Sequence, residues 1–333
     1  AGSPYAIKDY YDIDPDLAVD VPNRMKEFEA LVKRTHDCGM KVIIDFVPNH
    51  VARQYHSDVA PAGIKDFSAD DDTSVFFSPN NNFYYIPRQK FSPSFDLGSG
   101  DDAYNEFPAK ASGNDFFHAF PNQYDWYETV KLNYGIDYGN GSTHFSPIPD
   151  TWFKMLNILR FWAGKGVDGF RCDMAHMVPV EFWQWAISQV KEKYPDIKFI
   201  AELYDVHIYR DYIYRGGFDY LYDKVNLYDT LRGIQCHNIS AAQITGCWQT
   251  VEGIARHMLN FLENHDEQRF ASREYAGNAH LVLPSLVVAA TINNGPMMIY
   301  AGQELGERAE DAEGFSGRDG RTTIFDYWGV KTL

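Results

Sequence analysis

Three acidic side chains in this sequence are placed where they could do chemistry. Asp173 closes the run Gly169–Phe170–Arg171–Cys172–Asp173, Glu202 follows Phe199–Ile200–Ala201, and Asp266 closes Phe261–Leu262–Glu263–Asn264–His265–Asp266. A fourth cluster, Asp45–Phe46–Val47–Pro48–Asn49–His50, has the same form of an apolar run ending in polar residues. Two carboxyls facing one substrate suit glycoside hydrolysis, with one ionised as nucleophile and the other protonated as acid. In retaining enzymes the two stand about 5–5.5 Å apart. Arg171 lies two residues before Asp173, so on a strand both side chains point the same way. A guanidinium beside a carboxylate favours its ionised form, which makes Asp173 the nucleophile candidate. Glu202 follows an apolar run, and partial desolvation there would keep it protonated as the acid and later the base. Asp266, between polar neighbours, could distort a sugar and hold its hydroxyls.

Residues so far apart in sequence need a scaffold that gathers them. Asn23–Cys38 carries Met25, Phe28, Leu31, Val32 and Thr35 at helical spacing, with Gly39 as a stop. Met40–Val47 is rich in β-branched residues and reads as a buried strand. The alternation recurs: a helix over Thr151–Ala163 with Asp150 as N-cap, a strand over Gly166–Cys172, a helix over Pro179–Lys193 and a strand over Lys198–Ala201. Further strands are expected at Phe218–Tyr222, Met258–Leu262 and Met297–Tyr300. Alternating helices and buried strands imply a parallel sheet with helices outside it. In a (β/α) barrel every strand opens onto one face at its C-terminal end, which is the functional face. Asp173, Glu202 and Asp266 should therefore converge.

Between Val51 and Pro147 the alternation stops. The stretch is rich in Asn, Asp, Ser, Pro and Gly, and 18 of the 52 aromatics fall between Phe76 and Phe145. A structureless loop of that length would be unusual inside a compact domain. An irregular, aromatic-rich domain inserted after one barrel strand accounts for it better. Most of its aromatics are expected to form its own core, with Trp126 or Tyr127 as candidates to stack on sugars.

The 333 residues can bury a sizeable core. A net charge of −16 argues against nucleic acid or an anionic membrane surface as the main partner. No run of 18 apolar residues exists, so no membrane insertion is expected. Cys38, Cys172, Cys236 and Cys247 show no CxxC spacing, which argues against a zinc or redox site. Cys236 and Cys247 could close a short loop in a secreted protein; free thiols are the other reading. His50 and His265 lie in different strands without ligand spacing, and no metal site is expected from the histidines. His176 and His207 read as ordinary polar residues. Asp45 reads equally well as a salt-bridge partner or as a functional residue.

In its combination of motifs the chain resembles the α-amylase superfamily, glycoside hydrolase family 13. Four short motifs occur in order, at Asp45–His50, Gly169–Asp173, Glu202 and Asn264–Asp266, with a fifth and weaker one at Leu132–Asn133. The resemblance covers nearly the whole chain. It implies a (β/α)8 TIM barrel, with residues 1–50 and 148–333 as the catalytic barrel and residues 51–147 as the inserted second domain. It implies Asp173 as nucleophile, Glu202 as general acid/base and Asp266 as transition-state stabiliser. Tyr5, Asp45, His50, Arg171 and His265 then become substrate-binding residues of the cleavage subsite, with Tyr5 stacking on the sugar. The implied activity is retaining hydrolysis of α-glucosidic bonds in starch-type glucans or malto-oligosaccharides. A transglycosylase or glucosyl-isomerising enzyme is the first rival. A non-catalytic carbohydrate-binding or transporter-associated member is the distant one. The chemistry needs no cofactor. Many family members hold a structural calcium between the residue matching Asn49 and an Asp; the matching position here is Lys131, whose ammonium is expected to stand in for the ion. The Lys-His pair found after the nucleophile in many amylases reads Ala175–His176 here. A secreted or periplasmic location is implied, with the cytoplasm as the alternative.

By the same resemblance, Ala1–Asp20 match the loop after the second barrel strand and Gly306–Leu333 the loop after the eighth. Six barrel strands are expected, with the first two strands, the first and last helices and the C-terminal β-domain outside this sequence. Such an incomplete barrel would expose the flanks of its third and eighth strands, and the fragment alone is expected to express poorly or aggregate.

Overall fold

The computed structural model describes residues 2–96, 104–309 and 318–324. The chain divides into two compact units, residues 1–199 and 200–333.

In the first unit, helix α1 (Arg24–Asp37) ends in a left-handed turn at Gly39, φ +75°. The Gly39 N–H donates to His36 O at 2.8 Å and Met40 N–H to Thr35 O at 3.1 Å, the paired bonds of a Schellman stop. Strand β1 (Ile43–Phe46) follows, then β2 (His50–Ala52), β3 (Tyr85–Ile86), β4 (Ala109–Lys110), β5 (Thr129–Lys131), β6 (Ile136–Asp137) and β7 (Ser142–Thr143). Helix α2 (Asp150–Gly164), strand β8 (Gly169–Cys172) and helix α3 (Val180–Lys191) return to the alternating pattern. Strand β9 (Lys198–Ala201) begins in this unit and ends in the next.

β1 and β8 pair in parallel, with Asp45 opposite Arg171 and Phe46 opposite Cys172. The ladder continues one step, from Asp173 N–H to Phe46 O at 2.9 Å. Helix α2 buries Trp152, Met155, Leu156, Leu159 and Trp162 at helical spacing. The Trp152 ring meets Phe182 of α3 at 5.6 Å, and the Trp162 ring meets Phe28 of α1 at 5.3 Å. Burying a side chain such as Phe182 contributes about 1.5–3 kcal/mol, so these aromatic contacts fix helices α1 to α3 around the strand pair.

Two expectations need correction here. Pro149, not Asp150, sits at the N-cap of α2. Asp150 is the first helical residue, and its carboxylate instead meets Asn82 Nδ2 at 2.9 Å and Lys154 Nζ at 3.0 Å. The stretch Met40–Val47 is not a buried strand throughout: Ile43, at the start of β1, is 47% exposed, and Met40, before the strand, 58%. β1 is an edge strand, paired on one side only among the described residues, so its open flank leaves apolar area in water.

The stretch from Val51 to Pro147 is mostly irregular. Three short antiparallel pairs brace it: β2 with β5, β3 with β4, and β6 with β7. Its aromatics pack on each other as expected, with Tyr84 touching Phe76, Phe77, Phe117 and Tyr138 at ring distances of 5.3–6.2 Å.

The second unit carries helix α4 (Tyr209–Tyr214), strand β10 (Tyr220–Tyr222), helices α5 (Asp229–His237) and α6 (Gln243–Thr250), strand β11 (Met258–Leu259) and helix α7 (Leu283–Thr291). β10 pairs in parallel with β9 on one side and β11 on the other. Tyr222, Leu227, Tyr228, Phe261 and Phe270 anchor its core. The strand expected at Met297–Tyr300 shrinks to a single parallel bridge between Asn260 and Met297. Pro296 has no N–H to extend that ladder backwards, and the Tyr300 N–H turns to Gln303 Oε1 at 3.2 Å. All four cysteines are free; the Cys236 thiol faces Tyr275 O and the Cys247 thiol faces Thr230 Oγ1. Of the stretch Gly306–Leu333, residues 310–317 and 325–333 lie outside the described residues. Among the described residues no helix is long and apolar enough to cross a membrane.

Candidate active site

Parallel pairing of β1 and β8 puts the ends of both strands side by side, and five expected site residues gather there in the first unit. Arg171, the third residue of β8, donates from Nη1 to Asp173 Oδ1 at 3.0 Å. Its Nε lies 3.7 Å from Asp45 Oδ1. Arg171 and Asp173 are each 6% exposed. A guanidinium set against a carboxylate favours its ionised form. The Tyr5 hydroxyl donates to Asp45 Oδ2 at 2.8 Å, and its ring lies 5.8 Å from the Arg171 guanidinium. Burial and the neighbouring Asp45 push the Tyr5 phenol far above its ordinary pKa, so it remains a neutral donor. Asp45 thus acts as a bridge between Tyr5 and Arg171.

His50 is oriented from both sides. Its Nε2 lies 3.0 Å from Tyr5 O, and its Nδ1 lies 3.1 Å from Asn49 Nδ2. An amide nitrogen is a donor, so Nδ1 accepts and Nε2 carries the proton. The Asn49 amide is itself fixed, because Nδ2 also donates to Gly113 O at 2.7 Å while Oδ1 accepts from the Lys131 ammonium. Gly113 is required for this close approach: a Cβ there would stand 2.5 Å from Thr129 Oγ1 and 2.8 Å from His50 Cβ. The Trp126 ring packs 5.2 Å from the His50 ring.

Lys131 is 1% exposed. Its ammonium touches Asn49 Oδ1, lies 2.6 Å from Asp115 Oδ1 and 3.2 Å from Met177 O. Burial pushes its pKa down, and Asp115 opposes that shift. An Asn amide oxygen, a carboxylate and a backbone carbonyl are also what a calcium ion would ask for. With an ammonium already among those oxygens, the residues present do not fit a cation at this spot.

The second unit holds the other three expected residues. Glu202 directly follows β9 and is 2% exposed. Its Oε1 accepts a hydrogen bond from the Tyr204 hydroxyl at 2.6 Å. Beyond β11, the Asp266 N–H donates to Asn264 Oδ1 at 2.9 Å, and His265 Nε2 lies 3.1 Å from Asp266 Oδ2. This turn is braced underneath. Glu263 and Arg269 form a fully buried pair at 3.0 Å, and Arg269 also reaches Thr322 Oγ1 at 2.9 Å. Arg321 donates to the Asp266 carbonyl at 2.6 Å.

Sequence reasoning missed Tyr204, Gly113, Asp115 and the Arg269–Arg321 brace. Tyr204 carried a usable signal, since it stands two residues from Glu202 just as Arg171 stands two from Asp173. The others are brought in by tertiary contacts with no local mark. Asn133, the fifth motif, is wholly buried and holds the backbone, donating to Ser78 O and Asn81 O at 2.9 Å each.

A family model of the α-amylase catalytic domain matches residues 2–128 and 146–323. α-Amylase 3 of Dictyoglomus thermophilum is 24% identical over 330 residues, which cover 91% of this chain and 53% of that enzyme. An α-1,4-glucan:maltose-1-phosphate maltosyltransferase of Cereibacter sphaeroides is 28% identical over 170 residues, covering 50% of this chain and 27% of that protein. The chain thus spans about half, or less, of the length of these curated relatives. Among solved structures, the cyclic α-maltosyl-(1→6)-maltose hydrolase of Arthrobacter globiformis in complex with maltose superposes with a TM-score of 0.64. That match is at 21% identity and covers 98% of this chain and 63% of that one. Motifs, parallel strands and family model agree: the chain belongs to the α-amylase superfamily, glycoside hydrolase family 13.

Proposed function

We propose that this protein is a retaining glycoside hydrolase that cleaves α-glucosidic bonds in starch-type glucans or malto-oligosaccharides. The observation that carries the reading is the buried Arg171–Asp173 contact at a strand end, which sets a guanidinium against the carboxylate. In this reading β1 and β8 to β11 belong to a (β/α)8 barrel formed by residues 1–50 and 148–333, and residues 51–147 are its inserted domain.

Asp173 attacks the anomeric carbon while Glu202 gives its proton to the leaving oxygen, so the C–O bond breaks as the glycosyl-enzyme ester forms. Glu202 then takes a proton from water, whose oxygen displaces Asp173 and restores the starting configuration. Asp266 and His265 hold sugar hydroxyls and favour the distorted ring. Tyr5 offers a flat face to the sugar, and His50, Asp45 and Arg171 complete the subsite. The Lys131 ammonium holds Asn49 Oδ1 in this reading.

Incubation with starch, pullulan and isomaltose in parallel tests the reading and assigns the bond. Release of reducing sugar from at least one, lost in Asp173→Asn, supports it; no release from any contradicts it. The match to a maltosyltransferase favours transfer as the second reading. Product analysis with malto-oligosaccharides separates the two, because longer or rearranged products mean transfer and only shorter ones mean hydrolysis.

A further inference from the structure

We infer that Tyr204 is a positioning residue for the acid/base carboxyl, selecting which Glu202 oxygen carries the transferable proton through its hydrogen bond to Oε1. The inference rests on the glycosidase reading and deepens it. Glu202 has two oxygens and needs its proton on the one that faces the leaving group. The Tyr204 hydroxyl donates to Oε1 at 2.6 Å, a short O–H···O bond. The Tyr204 hydroxyl is the donor in this contact. With Oε1 engaged as an acceptor, the proton of the neutral carboxyl resides on Oε2.

The consequence lies in the first step. The Oε2–H bond breaks, its proton passes to the glycosidic oxygen, and the C–O electron pair leaves with that oxygen as Asp173 closes on carbon. Negative charge appears on Glu202 at that moment, and the Tyr204 hydroxyl is already aimed at it, so no group must reorganise to meet the charge. In the second step the same bond presents Oε2 as the base toward water. Leu203, between the two residues, is fully buried, which ties the segment to the core and holds both polar side chains in register.

The test compares the full-length wild type with Tyr204→Phe, Tyr204→Gln and Glu202→Gln. Substrates are malto-oligosaccharides, which need a proton on the leaving oxygen, and dinitrophenyl α-maltoside, which leaves without one. Tyr204→Phe is expected to lower kcat/KM on the oligosaccharide about 10- to 100-fold and on the aryl substrate less than about threefold. Tyr204→Gln, which keeps a donor, should recover part of the loss and covers the case in which the Phe variant fails to fold. Equal losses on both substrates, or no loss on either, overturn the inference while leaving the glycosidase reading intact. A wild type that turns over neither substrate overturns the glycosidase reading, and this inference with it.

Discussion

Arg171 donates to Asp173 across a single intervening residue, Nη1 to Oδ1 at 3.0 Å, with both side chains almost wholly out of water. Strand alternation puts them on one side of β8, and parallel pairing sets Arg171 opposite Asp45. Asp173→Asn keeps the shape of this contact and removes the carboxylate proposed to attack the sugar. It is expected to lower kcat by about 10⁴-fold or more, with a thermal midpoint near that of the wild type. Arg171→Met instead takes the guanidinium away from a buried carboxylate and should cost about 3–5 kcal/mol of stability. Urea titrations of both variants check the contrast.

Lys131 links β5 to Asn49, Asp115 and Met177. Lys131→Met leaves the Asn49 oxygen and a carboxylate without their cation, and is expected to destabilise the fold by about 3 kcal/mol or more. Calcium should not restore it, and a chelator should leave the wild-type thermal midpoint unmoved. A chelator-induced drop in the wild type would show that a metal, not the lysine, holds this spot.

Gly113→Ala places a Cβ against Thr129 Oγ1 and His50 Cβ at 2.5 and 2.8 Å. Either the loop shifts or His50 does. The expected outcome is a loss of about 1–3 kcal/mol, together with a raised KM for oligosaccharides, because the Asn49–His50 pair moves with Gly113 O. Calorimetry and steady-state kinetics on one preparation read both effects.

Asp223 follows β10 and is 2% exposed, and burial pushes its carboxyl pKa up from 3.8 to about 6 against the hydrogen bonds from Asn226 and Leu227. An acid with a raised folded pKa binds its proton more tightly folded than unfolded. Its contribution is therefore full below about pH 4 and lost as pH rises through about 6. Relative to Asp223→Asn, the wild type should lose about 2–3 kcal/mol between pH 4 and pH 6.5. Equilibrium unfolding at those two pH values checks the difference; parallel curves would show that the carboxyl is not held this way.

What was legible in the sequence followed local rules. The helices around Val32, Leu156 and Ile187 show their periodicity, and the strand ends next to Asp173 and Glu202 are marked by apolar runs meeting polar residues. The i, i+2 rule anticipated the Arg171–Asp173 contact. Errors arose where tertiary context overrode local pattern. Ile43 sits in a β-branched run yet lies on an edge strand, and Asp150 has the chemistry of a cap but follows Pro149, which takes that position. Met297–Tyr300 has strand composition, and Pro296 and the Gln303 side chain stop its ladder. Gly113, Asp115 and Arg321 reach the site residues from distant loops, so no spacing in the sequence points to them.

In the proposed mechanism Asp173 forms a covalent bond to the sugar. A 5-fluoro-α-glucosyl fluoride, which forms the glycosyl-enzyme faster than water removes it, tests it directly with peptide mass spectrometry. One added fluoroglucosyl group is expected, on the peptide containing Asp173 and absent in Asp173→Asn. A catalytically active sample that gives no adduct, or an adduct on another residue, would contradict it.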